Sequence, residues 1–245
     1  MTVTLGDALD AMAGFPEVEP ADFVRRGLLV IAPHPDDESL GCGGLIATCR
    51  AAGLPVSILI VSDGAGSHPG STLFPPMVLA ALRQQEAILA AAALGVGPSH
   101  VHFAGLPDRS VPISGYEAER ACDRIAALAA TADVVAVTWR HDPHGDHKAC
   151  FALARAAVRR VPGATLWEYP IWGLTLPPHM PLPGERPRGV RVRVSDHLPA
   201  KRRAIAAHAS QTTALIVDDP KGFRLTPDML ARFDTPWETF IESPP

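Results

Sequence analysis

The sequence contains no CxxC pair, no GxGxxG fingerprint, no surplus of positive charge and no apolar run long enough to span a bilayer. Each absence removes a class of function. The four cysteines, Cys42, Cys49, Cys122 and Cys150, are widely spaced. That spacing argues against a zinc ribbon and for free thiols in a reducing, cytoplasmic setting. None has a local activator, so a catalytic thiol is disfavoured. The formal net charge is −4, and the 22 lysines and arginines are scattered without forming a basic face. Neither nucleic acid nor an anionic membrane is therefore an expected partner. The first residues, "MTVTLGDALDAMAGFPEVEP", contain acids and lack a basic start followed by an apolar run. No signal peptide, membrane anchor or membrane insertion is expected. Repeats, low-complexity tracts and a clear linker are also missing. With 245 residues and 47% hydrophobic content, the chain is read as one domain over 1–245. Its oligomeric state leaves no trace in the sequence.

What the chain does have is alternation. Apolar strands are expected over 27–33, 55–64, 100–103, 132–139 and 164–169. Helical patterns separate them: one entered through a turn at "ESLGCGG" and ending at Gly53, then 75–95, 116–130 and 147–160. Strands alternating with helices predict an α/β fold, a Rossmann-like three-layer sandwich with a mostly parallel sheet. Ligand sites in such sheets gather at the carboxyl ends of the strands. Three polar clusters fall there: His34–Glu38 after the first strand, Asp63 after the second and His141–His147 after the fourth.

Beyond 169 the character changes. Six prolines between Pro170 and Pro187 rule out a helix or a central strand, leaving a loop over the site or a plain surface connection. "RGVRVRVSDH" reads as an edge strand. "LPAKRRAIAAHASQ" and "TPDMLARF" read as short helices, the second capped by Thr226 with Pro227 in its first turn. Residues 170–245 are taken as a C-terminal portion that shapes substrate choice.

The clusters suggest metal chemistry. His34, Asp36 and Asp37 lie within four residues, and "HDPHGDH" adds three His and two Asp. Imidazole and carboxylate without thiolate suit a catalytic zinc or another divalent ion. Such a site needs about three protein ligands and a position left for water. The two clusters exceed that number, and hydrolysis also needs a base and an acid. Singly, each group has a plainer reading: Asp36 or Asp37 as a helix cap, Asp146 as the cap of the helix at His147. Jointly, two His/Asp clusters at the ends of two core strands are hard to explain as caps. Gly41, Gly43 and Gly44 are too crowded and too late for a dinucleotide, and the carboxylates before them would repel its pyrophosphate.

"PHPDDE" after the first strand and "HGDH" before a later helix resemble the LmbE/PIG-L family of metal-dependent deacetylases. "VSDGAG" (61–66), "RQQEAILAAAALG" (83–95) and "KRRAIAAHASQ" (201–211) extend the resemblance over much of the chain. It implies removal of an acyl group, usually acetyl, from a small-molecule amino-sugar conjugate such as an N-acetylglucosamine conjugate. It implies that His34, Asp37 and His147 hold zinc and that Asp36 is the general base. His144 would be a protonated imidazole that stabilises the oxyanion or aids the leaving amine, and Asp146 would orient or tune it. Arg83 resembles a family arginine that can face substrate; an exposed Arg83–Glu86 helix pair is its plain alternative. His208 and Gln211 match a C-terminal pattern and are read as packing residues. One departure from the family is Gly145, where proline is usual; glycine loosens that turn. Two other readings stay open, an amidase for a thiol conjugate of an amino sugar and a metal- or sugar-binding protein without turnover.

Overall fold

A computed structural model describes residues 3–184 and 186–243. The chain begins with β1 (Val3–Thr4), α1 (Leu5–Ala13), β2 (Glu17–Val18) and α2 (Pro20–Phe23). The alternating part follows: β3 (Leu28–Ala32), α3 (Asp37–Ala51), β4 (Val56–Ser62), α4 (Pro76–Ala93), β5 (Val101–Leu106), α5 (Tyr116–Ala129), β6 (Val134–Thr138), α6 (Gly145–Val158) and β7 (Thr165–Tyr169). The remainder holds β8 (Pro181–Leu182), β9 (Gly189–Arg193), α7 (Leu198–Ala207), α8 (Ala209–Thr212), α9 (Pro227–Ala231) and β10 (Trp237–Glu242).

Eight strands form the main sheet in the order β2-β9-β10-β7-β6-β3-β4-β5. The five strands from β7 to β5 are parallel, and β10 pairs antiparallel with both β7 and β9. All residues of β3 and β6 are buried, as their unbroken apolar runs require when helices cover both faces. Alternate side chains feed two layers. Val30, Ile58 and Ala136 pack with α3 and α4, whereas Leu29, Leu59 and Val135 pack with α5 and α6. From β3 the chain winds outward through β4 and β5, then returns to β6 beside β3 and winds the other way. The winding direction reverses between β3 and β6, where open α/β sheets leave a crevice at the strand ends.

The glycines of "GCGG" lie inside α3, not in a turn before it. A Cβ at Gly41 would come within 2.2 Å of the Tyr169 ring, and one at Gly44 within 2.5 Å of Val194. Small residues there let α3 approach β7 and the chain after β9 closely. Thr226 caps α9 through its side chain, with Pro227 in the first turn as expected. Helix α1 and strand β10 had not been expected. The predicted edge strand is β9, flanked outside only by the two-residue β2. Of the Pro-rich stretch, Trp172–Thr175 forms a single 3-10 turn and β8 pairs with β1. No helix among the described residues is long and apolar enough to cross a membrane.

Candidate metal centre and active site

The loop after β3 sets the first half of the site. Asp36 has φ 143°, a backbone region that non-glycine residues avoid, and its side chain makes no cap bond to α3. The carboxylate is aimed elsewhere: Arg83 Nη2 donates to its Oδ2 at 3.2 Å. The same guanidinium donates to the carbonyls of Pro35 and Gly64. Arg83 is thus a buried clamp on two loops, and it does not pair with Glu86. Glu86 instead accepts from the N–H and hydroxyl of Ser210. Burial pushes the Asp36 carboxyl up to about 6, opposed by the charge of Arg83.

Asp37 opens α3 and is 1% exposed. Its Oδ2 lies 3.3 Å from His34 Nδ1 and 3.3 Å from His147 Nε2. Apart from that 3.3 Å approach, His147 Nε2 and Asp37 Oδ1 have no hydrogen-bond partner among the described residues. Each imidazole is fixed through its other nitrogen. His34 Nε2 meets Asp146 Oδ2 at 3.1 Å and Asp108 Oδ1 at 3.2 Å. His147 Nδ1 meets Asp142 Oδ2 at 2.9 Å. Imidazole held by carboxylate on the far nitrogen is the usual support of a metal ligand. Desolvation opposes charge on all these groups. Even so, Asp108, Asp146 and Asp37 raise the pKa of His34 well above its usual value. Asp37 and Asp142 raise that of His147 to about 9, and the two imidazoles hold Asp37 well below the carboxylate range.

The residues fit a divalent cation. Two buried atoms able to bind a cation, Asp37 Oδ1 and His147 Nε2, lack a hydrogen bond among the described residues. Five carboxylates (Asp36, Asp37, Asp108, Asp142, Asp146) cluster around these histidines, with the guanidinium of Arg83 paired to one of them and Arg109 exposed on the cavity wall. Donor atoms of His34, His144 and His147 lie within 4.8 Å of one another, as do those of His34, Asp108 and Asp146.

Two expectations change here. Asp146 was expected to orient or tune His144; its charge does raise the His144 pKa, but its carboxylate makes no hydrogen bond to that ring among the described residues. That carboxylate instead accepts from Arg109 N–H at 2.7 Å, Val111 N–H at 3.1 Å and the ring of His34. What reaches His144 is the backbone N–H of Asp146, donating to Nδ1 at 3.2 Å. His144 was expected to be protonated. Burial, then the neighbouring His34 and His147, lower its pKa. With Nδ1 an acceptor, a neutral ring carries its proton on Nε2.

Sequence reasoning missed Asp108 and Asp142. Asp108 follows β5, the same sheet edge that drew attention to the other clusters. Asp142 lies inside the quoted "HDPHGDH". Its carboxylate also accepts from the N–H groups of Ile171 and Gly173 at 3.2 and 2.7 Å, tying the Pro-rich segment to His147. Gln211, read as packing, has a wall position. A cavity of about 220 Å³ opens over His34, Asp36, Asp37 and His144, with Trp172, Gln211 and Phe223 among its walls. His208 is a packing residue, bound to Glu38 at 3.0 Å beneath α3. Asp63 closes its turn by accepting from the N–H of Ala65 and Asp108.

The family model described as PIG-L, GlcNAc-PI de-N-acetylase, matches residues 29–158. A probable N-acetyl-alpha-D-glucosaminyl L-malate deacetylase 2 from Bacillus cereus is 27% identical over 198 residues, covering 80% of this chain and 88% of that protein. A 1D-myo-inositol 2-acetamido-2-deoxy-alpha-D-glucopyranoside deacetylase from Actinosynnema mirum is 29% identical, covering 76% of this chain and 81% of that protein. Among solved structures, N,N'-diacetylchitobiose deacetylase from Pyrococcus horikoshii superposes with a TM-score of 0.61 at 22% identity, over 90% of this chain and 84% of that one.

Proposed function

The chain belongs to the PIG-L family, and from that premise we propose that it is a zinc-dependent hydrolase that removes the acetyl group from an N-acetylglucosamine conjugate. The observation that carries the reading is the meeting of His34 Nδ1 and His147 Nε2 on one oxygen of Asp37, beside an Asp36 carboxylate held out of the helix cap. His34, Asp37 and His147 would hold the ion; two imidazoles and a carboxylate suit zinc. Bound there, a divalent cation supplies Lewis acidity toward the amide carbonyl and toward water.

The chain's own residues supply the rest. Asp36, raised by burial and steadied by Arg83, takes a proton from the attacking water as the acetamide carbon becomes tetrahedral. The neutral His144 ring donates its Nε2–H to the developing oxyanion, which needs no imidazolium. Asp36 then returns the proton to the departing amine, so one carboxyl serves as base and acid. Asp146 and Asp142 keep the two ligand histidines in the required tautomer. Arg83 is assigned to positioning Asp36, because among the described residues its guanidinium bonds only to loop carbonyls and to that carboxylate. Trp172, Gln211 and Phe223 are the C-terminal portion's contribution to substrate choice. Four buried, unpaired thiols suit a reducing, cytoplasmic setting.

A binding protein without turnover has no need of a strained carboxylate kept out of the ligand set. The test is release of acetate and free amine from a panel of N-acetylglucosaminides, followed by mass spectrometry with zinc-loaded protein. Stoichiometric acetate and amine are the expected products. Tight binding across the panel with no release would make the protein a binder.

A further inference from the structure

Glu38, the third acid of "PHPDDE", does not line the cavity, yet it holds a residue that does. Asp36 and Arg109 are the two residues other than glycine with positive φ among the described residues. At φ 143° and ψ −30°, Asp36 sits where an L side chain clashes with its own backbone. Such a conformation persists only where the surroundings impose it. The carbonyl of Pro35 accepts from Arg83 Nη2 at 2.6 Å. At the other end of the same peptide, the N–H of Asp36 donates to Glu38 Oε2 at 3.0 Å. The carbonyl of Asp36 accepts from the N–H groups of Ser39 and Leu40, both at 3.0 Å. The peptide before Asp36 is thus pinned at both ends and the one after it at its oxygen, which leaves the torsions between them little freedom.

Asp36 stands at the N-cap of α3. An aspartate there ordinarily accepts from N–H groups of the first turn, while an acid further along the turn reaches back to the N–H of the cap. Here only the backward bond is made: Glu38 reaches the Asp36 N–H, and the Asp36 carboxylate makes no cap bond. Glu38 is itself held. Its Oε1 accepts from Ser39 Oγ at 2.7 Å and meets His208 Nε2 at 3.0 Å, and all three side chains are buried. Favouring a helix N-terminus requires only an acid in the first turn, not burial and not a bond to the cap's N–H.

Resting on the deacetylase reading, we propose that Glu38, fixed by His208, is a positioning residue for the base: it holds the strained Asp36 backbone so that the carboxylate faces the reacting water instead of capping α3. Glu38 acts only through Asp36. Its loss therefore lowers kcat and leaves zinc and KM in place. His208 brings the C-terminal portion of the chain into the support of the base.

The test compares the full zinc-loaded chain with Glu38→Met, Glu38→Gln and the double variant Glu38→Met/His208→Leu. Met and Gln are close to glutamate in size. Only Gln keeps an oxygen for the Asp36 N–H, and its amide nitrogen can donate to a neutral His208. The double variant removes both members of the buried pair, so neither is left unpartnered. Zinc content, Tm, and kcat and KM for acetate release from the N-acetylglucosaminide that the wild type cleaves fastest are measured. Crystal structures of Glu38→Met and of the double variant report the Asp36 backbone. Glu38→Met should lower kcat by about 10²-fold with full zinc and KM within about twofold. Asp36 should return to negative φ, with its carboxylate on the first turn of α3. Glu38→Gln should stay within about fivefold of the wild type. The double variant should melt near the wild type and remain slow; a merely structural role would restore kcat along with Tm. Full kcat in Glu38→Met, loss of zinc, a raised KM alone, Glu38→Gln as slow as Glu38→Met, kcat regained in the double variant, or Asp36 still at positive φ would each overturn the proposal. A wild type that releases no acetate from any N-acetylglucosaminide would sink the deacetylase reading instead, and the crystal structures would still decide whether Glu38 holds Asp36.

Discussion

Residues 28–169 and residues 170–242 are held together by different forces. The first stretch is an apolar construction: buried strands in register, two helical layers, and few polar groups inside apart from the site. The second adds apolar side chains to that core (Val192, Val194, Leu225, Phe240) but is also fastened to the first by buried carboxylates. Glu238 of β10 accepts from the N–H groups of Gly44 and Leu45 in α3, both at 2.8 Å, and from Lys201 Nζ at 2.7 Å. Glu38 reaches His208 and Glu86 reaches Ser210, and at the surface Asp218 gathers Ser71, Thr72 and Leu73. The proposed ligands and base come from the first stretch, and three walls of the cavity come from the second. On the proposed reading, chemistry sits on the sheet edge, and selection on the part that buried polar contacts help to attach.

Substitution can break that division, and the largest effect belongs to the ligands. Asp37→Ala or His147→Ala should lose bound zinc and bring acetate release down to near background, a fall of about 10⁴-fold or more. Retained stoichiometric zinc would remove the residue from the ligand set. Asp36→Ala comes next: zinc stays, while kcat drops by about 10²- to 10⁴-fold. Loss of zinc there would show that Asp36 is a ligand and not the base.

The polar fastening predicts a loss of stability. Glu238→Ala leaves Lys201 buried without its partner and two helix N–H groups unsatisfied, a cost of about 3–5 kcal/mol. That lowers Tm by on the order of 10 °C for a chain of this size. Lys201→Met added to Glu238→Gln should recover part of it. If Glu238→Ala melts like the wild type, the fastening is not what holds the second stretch.

Glu168 of β7 is the sharper comparison, a buried carboxyl in the apolar stretch. Burial raises it to about 7 despite Arg140 beside it. The folded state therefore keeps a proton that the unfolded chain releases near pH 4.5. Stability should fall as pH rises from about 4.5 to 7, by up to about 3 kcal/mol. Glu168→Gln should flatten that slope in denaturant titrations; an unchanged slope would assign it to other groups. The smallest effect is expected at Gly145, the first residue of α6, where an added Cβ meets nothing within 4 Å. Proline suits a first helical position, so Gly145→Pro should add about 0.4–1 kcal/mol and leave turnover unchanged.

The same division explains what could be read from the sequence. β3, β4, β6, α4 and α5 follow from apolar runs and helical spacing, because each is specified by neighbours a few residues away. The motif at 34–37 and the one at 144–147 stood out because several ligand types crowd into short segments. Asp108 stands alone in a loop, and only the return of β5 to the sheet edge brings it to His34. β10 was hidden because its sequence neither alternates nor runs apolar; Glu238 faces inward to meet groups nearly 200 residues away in the chain. The roles of Asp146 and His144 depended on which atom of each faced the other, which spacing along a helix does not reveal.

The central claim is that His34, Asp37 and His147 hold the catalytic ion, with Asp108, Asp142 and Asp146 only supporting them. Crystals grown with zinc and measured at its absorption edge test this directly. One anomalous peak bonded to His34 Nδ1, Asp37 Oδ2 and His147 Nε2 is the expected result. A peak shared by His34, Asp108 and Asp146, or none at all, would contradict it.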